Sequence, residues 1–449
     1  MNPQHPESDF IHAICRDRSL EHAFLLALLG RKNVERQRLL RHWASQIDWR
    51  RFEHITSPDL FAYLGHVLKE VGLLEACPAS LQQKFRDRRR FTAAQWLRWR
   101  FEIHEIVDLF REHDVDLILL KGAVLTAVAY PNTSLRSMSD LDLLVPEADV
   151  ERALRVLNAA GYRCPEYFRF VHPHGAEFGR EAGGEVAVPL QKMGTRAFVE
   201  VHTQLESAEP AYPVPSAQLW EGAEEVDLCG ISCRTLEKHE FLLHVILHLA
   251  DHHVFEYGLR ALLDVHLWIE RHEGHFDWCR LAAEAVRRGY ADWVYLSLRM
   301  VRDAFATPVP DAVFSYLGEP AQFPSMQRLA YEQVFAERRV KQPAVLIRAL
   351  SQLDTFSAAR LLIERIMPTR AAVSSNIVRS LSPPQVGGVG LAARRFMSEM
   401  RTRLPHYVRA WRAGRIRWGG LMEAARLMRK ANQLRSLMHS QINSRDTKA

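Results

Sequence analysis

At 449 residues, 47% hydrophobic and 25% charged, the chain has room for two or three domains. Its composition is that of an ordinary globular protein and excludes a disordered, collagenous or disulfide-stapled one. The net charge of +6 is uneven: from Leu391 onward fourteen Lys/Arg face three Asp/Glu, so that tail carries +11 and all that precedes it −5. Weak binding to an anionic surface is therefore an expectation for the tail alone. Six scattered cysteines (Cys15, Cys77, Cys164, Cys229, Cys233, Cys279) read as reduced thiols. The opening MNPQHPESDF lacks the basic and apolar segments of a secretory signal. The apolar run Ala23–Leu29 falls far short of the roughly 20 residues that span a bilayer. A cytoplasmic protein without transmembrane segments is expected.

From about Ser8 to His113 apolar residues recur at helical spacing, as in Leu60, Leu64, Val67 and Val71. Phe91–His113 reads as one amphipathic helix. Val115–Leu120 then has the length and boundaries of a buried strand ending at Lys121-Gly122, and Ala123–Tyr130 suits a helix stopped by Pro131. Ser139–Val145 alternates acidic and apolar residues, the period of a strand with one wet face. A helix over Ala148–Ala160 follows, closed by Gly161. Short strands are expected at Ala176–Arg180 and Glu185–Leu190, and a clearer one at Ala197–Leu205. Helices return at Lys238–His253 and Arg260–Arg271, with others beginning near Asp277 and Asp292. The Pro/Ser/Gly/Val-rich stretch near SLSPPQVGGVG reads as a linker, and a basic helical tail ends the sequence. The fold class expected is α+β: a small mixed sheet flanked by helical regions. The boundaries fall at 1–113 (helical), 114–235 (α/β domain), 236–370 (helical), 371–392 (linker) and 393–449 (basic tail).

Side chains two apart on a strand share a face, so Asp140 and Asp142 project together. Two close carboxylates repel unless protonated or bridged by a cation, and a hard divalent ion, Mg²⁺ or Mn²⁺, relieves that repulsion while also taking phosphate oxygens. In AFVEVHTQL, Glu200 and His202 share a face. If that strand lies beside the first, Glu200 adds a third carboxylate, and three such groups can hold two metals. Lys121-Gly122 opens a helix, a geometry suited to receiving phosphate on backbone N–H groups. Ser134 and Arg136 lie in the loop before the acidic strand, placed for phosphate contact.

The run LILLKGAVLTAVAYPNTSLRSMSDLDLLVPEADVERALRVLNAAGY resembles the core of the uncharacterised nucleotidyltransferase family within the DNA-polymerase-β-like superfamily. The residues that carry the likeness are Lys121, Gly122, Tyr130, Arg136, Asp140, Asp142, Gly161 and Tyr162. Glu200-Val201-His202 is similar to the family's acidic-hydrophobic-His strand, and the stretch with His244, His248, His252, Arg260 and Asp264 to its following helices. The resemblance covers about residues 20–300. It implies transfer of a nucleoside monophosphate from an NTP, with ATP as the expected donor, to an acceptor hydroxyl (small molecule, protein or RNA). Asp140, Asp142 and Glu200 would be catalytic and metal-binding; Lys121, Gly122, Ser134, Arg136 and His202 would meet the nucleotide. The wider superfamily has Gly-Ser or Gly-Gly after the first strand, and Gly122-Ala123 here lacks that hydroxyl. The rival reading is a catalytically silent nucleotide-binding or regulatory protein in a biosynthetic or defence assembly.

Three further signals compete with blander readings. His244, His248 and His252 could present three imidazoles to a metal, or form a polar seam paired to Asp251, Asp264 or Glu256. Cys229 and Cys233 could be half a zinc site, although Gly230 between them suits a hairpin turn. The tail's Arg clusters with Trp411, Trp418, Leu421, Met422 and Leu427 could lie on an anionic membrane or nucleic acid, or dock on the protein with arginines solvated.

Overall fold

The computed structural model describes residues 18–163, 187–192, 198–205, 216–336 and 426–438. The strand expected at Ala176–Arg180, the linker, and the tail other than 426–438 lie outside them. The fold is α+β: a seven-stranded mixed sheet, in the order β3-β4-β5-β2-β1-β7-β6, enclosed by helices. The strands are β1 (Ile118–Leu119), β2 (Leu141–Leu144), β3 (Tyr162–Arg163), β4 (Ala187–Lys192), β5 (Phe198–His202), β6 (Glu224–Asp227) and β7 (Ser232–Thr235). At the centre β2 runs antiparallel to β1 and parallel to β5, with Asp142 opposite Glu200 and Leu144 opposite His202. Leu141, Leu143, Val199 and Val201 are buried between them, so the period-two pattern places its apolar set in the core and its acids on the other face.

The expected helix at Phe91–His113 is the end of a longer one, Ala79–Glu112 (34 residues). Phe85, Trp96, Trp99, Ile103, Ile106 and Phe110 of this long helix are buried at the three- and four-residue spacing of one face. It ends where Val115 N–H turns back onto the Phe110 carbonyl at 2.9 Å, past Asp114 at φ 51°. That turn uses up the first residues of the expected Val115–Leu120 strand, leaving Ile118–Leu119 to pair. The next helix starts at Lys121, earlier than expected, and after Val124 becomes a π turn over Leu125–Ala129. The Lys238–His253 segment behaves alike, α-helical over Lys238–Leu247 and π over His248–His252. Leu259–Arg271, Trp278–Arg287 and Ala291–Phe305 follow, with Asp277 accepting from Arg280 N–H at the start of the second.

One contiguous apolar core runs from Ala23 to Met438. Even the last described helix (426–438) belongs to it. Ala431, Leu434 and Met438 are buried, Gln333 donates to the Leu427 carbonyl at 2.9 Å, and Arg435 donates to the carbonyls of Asp251 and His252 at 2.9 and 3.5 Å. This part of the tail docks on its own protein. Among the described residues no helix is long and apolar enough to cross a membrane, and Cys77, Cys229, Cys233 and Cys279 are free thiols. Cys229 and Cys233 belong to the β6–β7 hairpin: Leu228 N–H meets the Ile231 carbonyl at 2.9 Å, Gly230 takes φ 92°, and Cys233 is buried.

Candidate active site

The site is assembled at the corner where β1 gives way to the Lys121 helix. Leu120 is still extended, and its N–H donates to the Asp142 carbonyl at 3.1 Å. Lys121 then takes φ 42°, a left-handed conformation that costs a non-glycine residue about 1 kcal/mol or more and is characteristic of functional corners. From that turn Lys121 Nζ donates to Asp142 Oδ1 at 2.9 Å. His202 Nε2 lies 3.1 Å from the same oxygen and 3.7 Å from Glu200 Oε2. The nearest ligating atoms of Asp142, Glu200 and His202 all fall within 4.8 Å of one another.

Burial and charge then separate the three carboxylates. Asp142 is 4% exposed; burial alone would raise its pKa, but Lys121 and His202 outweigh that and hold it well below the ordinary aspartate value. Glu200 keeps 29% of its side chain exposed, and its pKa is raised by desolvation and then by Asp142. Asp140, half-buried just before β2, accepts from the Ser139 hydroxyl at 3.0 Å and is likewise raised by burial and then by Asp142. It stands beside the cluster of Asp142, Glu200 and His202. Asp140 was expected to bind metal and His202 to meet the nucleotide; the atoms that come within 4.8 Å of one another, and could hold a cation, are those of Asp142, Glu200 and His202.

Arg136, expected to meet the nucleotide, is paired within the protein. Its guanidinium grips Asp264 in a bidentate pair, Nε to Oδ1 at 2.8 Å and Nη2 to Oδ2 at 2.9 Å, and donates to the Gly122 carbonyl at 3.3 Å. The Tyr130 hydroxyl donates to Asp264 Oδ1 at 2.8 Å. This network is buried throughout and braces the corner from within. Gly122 makes room for it: a Cβ there would lie 3.2 Å from Arg136 Nη1. The Ser134 hydroxyl accepts from Arg89 of the long helix at 3.1 Å. The loop it begins is fastened to that helix by Arg88 to Ser137 Oγ (3.1 Å), Gln95 Oε1 to Met138 N–H (3.1 Å) and Trp99 Nε1 to the Met138 carbonyl (3.4 Å).

The histidine helix supplies a wall. Burial first, and then Lys121, lowers the pKa values of His244 and His248 well below the ordinary imidazole range, so both are neutral. His248 Nε2 meets His253 Nε2 at 3.2 Å, and the Tyr257 ring lies over His248 and His253 at 5.9 and 4.1 Å. Loss of water around its hydroxyl, and after it Asp140, pushes Tyr257 up to about 12, although 46% of the residue stays exposed. Of the carboxylates expected to pair with these histidines, Asp264 is taken by Arg136 and Tyr130. The Asp264 clamp was invisible as such in the sequence, because it acts through Tyr130 and Arg136, more than a hundred positions away.

Neither a search of curated proteins nor one of solved structures returned a match. A family model described as uncharacterised nucleotidyltransferase matches residues 45–306, which takes in the long helix, the Lys121-Gly122 corner, both acidic strands and the histidine helix. On that match, which spans more than half of the sequence, the chain belongs to the uncharacterised nucleotidyltransferase family.

Proposed function

We propose that the protein transfers a nucleoside monophosphate from an NTP, with ATP as the expected donor, to an acceptor hydroxyl. The acceptor oxygen bonds to the α-phosphorus, the bond from that phosphorus to the bridging oxygen breaks, and pyrophosphate leaves. One observation carries the reading: three carboxylates, two of them facing each other across β2 and β5, gather around one lysine and one histidine beside a strand-to-helix corner. The two carboxylates and imidazole of Asp142, Glu200 and His202 fit a divalent cation, with Mg²⁺ or Mn²⁺ favoured by the oxygens, and Asp140 stands ready to complete the set. Held by these side chains, such an ion would supply charge neutralisation and orientation to a bound triphosphate.

The chain's own residues do the rest. Lys121 neutralises Asp142 until substrate arrives and is then free to turn its ammonium to the phosphates, with backbone N–H groups at Gly122 beside it. Glu200, partly exposed beside Asp142, is the carboxylate placed to accept the acceptor's proton. Arg136 serves indirectly, holding the Gly122 corner in place. A cytoplasmic setting belongs to this reading.

The test is incubation of the protein with α-labelled NTP, Mg²⁺ and cell extract, beside Asp142→Asn. Label should pass to an acceptor, and the variant should lose about 10²–10³ in rate, as when a key electrostatic group is removed. Stoichiometric retention of nucleotide without transfer would favour the silent-binder reading, and an undiminished rate in the variant would refute the site.

A further inference from the structure

Net charge confines polyanion binding to the tail, yet a second concentration of cations lies on the long helix. Arg86, Arg88, Arg89, Arg90, Arg98 and Arg100 fall within its middle four turns. Carboxylates do little to balance them. Arg86 donates to Gln83 Oε1 at 2.8 and 3.2 Å, Arg89 to the Ser134 hydroxyl, and Arg100 to the Cys229 carbonyl at 3.0 Å. Arg90 lies 3.8 Å from an exposed Asp87; Arg88 has a close carboxylate, Asp59 at 2.6 Å. Arg86, Arg89 and Arg90, with Ala93 and Ser134, line an open cleft of about 390 Å³. Guanidinium groups crowded around one opening repel each other, and a phosphate accepting from several of them relieves that repulsion.

Phe91, Leu97 and Phe101 on the same helix are 49%, 64% and 67% exposed. From Arg86 to Phe101 the helix rises about 22 Å. Around the helix Leu97 and Phe101 fall within about 60° of Arg86 and Arg90, whereas Phe91 lies about 140° from Arg86. Guanidinium groups beside an exposed phenyl ring suit a single strand, which binds by backbone neutralisation and stacking. A helix lying on a membrane would turn its continuous apolar face outward. Here that face (Phe85, Trp96, Trp99, Ile103) is spent in the core.

We infer that this face of the long helix docks a single nucleic-acid strand, with phosphates entering the cleft at Arg86, Arg89, Arg90 and Ser134. The inference deepens the nucleotidyl-transfer reading by naming the acceptor class, and in that respect rests on it. Ser134 and Asp140 are six residues apart, a span of at most about 20 Å, and the loop between them is fastened to the helix. A strand seated on the arginines therefore lies within reach of the acidic group.

Fluorescence anisotropy of the full chain with a labelled oligouridylate tests this, across a salt series, for wild type and Arg86→Gln/Arg90→Gln. Both side chains are exposed and neither holds the Ser134 loop, so an unchanged thermal midpoint should accompany the substitutions. Loss of two phosphate contacts should weaken binding about tenfold or more and flatten the slope of log K against log salt by about 1.4. Arg98→Gln should flatten it by about 0.7. Wild-type affinity and slope in the double variant would overturn the inference, as would binding to anionic phosphatidylglycerol vesicles but not to the oligonucleotide. Binding is read without turnover: a strand-binding protein that transfers no label sinks the transfer reading alone, whereas label transfer without strand binding sinks the docking face alone.

Discussion

Two groups of buried charge meet at the Lys121-Gly122 corner and are built to different rules. In the first, Arg136 and Asp264 face each other through two short, parallel hydrogen bonds, and Tyr130 and the Gly122 carbonyl take up what is left. In the second, Asp140, Asp142 and Glu200 share Lys121 and His202, and two of the three acids have raised pKa values because nothing fully compensates them. A satisfied buried pair holds a structure in place, and losing one partner strands the other charge. An undercompensated acidic group costs stability and is kept where a cation or a proton has work to do. The contrast between them separates scaffold from chemistry within a single corner.

Substitutions can break the comparison. Asp264→Ala should be the most damaging, costing about 3–5 kcal/mol in urea unfolding because the Arg136 guanidinium is left buried and unpaired; a loss below about 1 kcal/mol would show that the network is not the brace. Gly122→Ala should cost about 1–2 kcal/mol, since the new methyl presses on Arg136 Nη1, itself fixed by Asp264, and a neutral result would mean the guanidinium can retreat. Glu200→Gln should have the smallest and opposite effect. Removing its charge relieves repulsion with Asp142 and should leave metal-free stability unchanged or raise it by up to about 1 kcal/mol. Mn²⁺ should raise the thermal midpoint of the wild type, and the same variant should lose that increase. A destabilised Glu200→Gln protein that still responds to Mn²⁺ would place this glutamate with the scaffold.

How much of this was legible in the sequence follows from the range of each interaction. The acids were readable because a strand's period is two: Asp140/Asp142 and Glu200/His202 declare their faces locally, and β2 and β5 do lie side by side in that register. The Lys121-Gly122 corner was readable as a boundary, but not its left-handed lysine, which no neighbouring residue type announces. The pairing of Arg136 was not readable because its partner lies 128 positions away; an arginine before an acidic strand looks alike whether it faces phosphate or a buried aspartate. Both π turns escaped notice, since each widens the helix by one residue per turn without disturbing the apolar pattern that marks a helix. The Ser134 cleft needed the long helix beside it, and only the fold brings them together.

The docking of the terminal helix has a consequence of its own. Arg435 caps the carbonyls of Asp251 and His252, so the turn that carries His248 and His252 is closed by a residue 184 positions beyond Asp251. The ribosome must therefore have made the 184 positions that follow Asp251 before that turn can acquire its cap, and the histidine wall matures after the strands it overlooks.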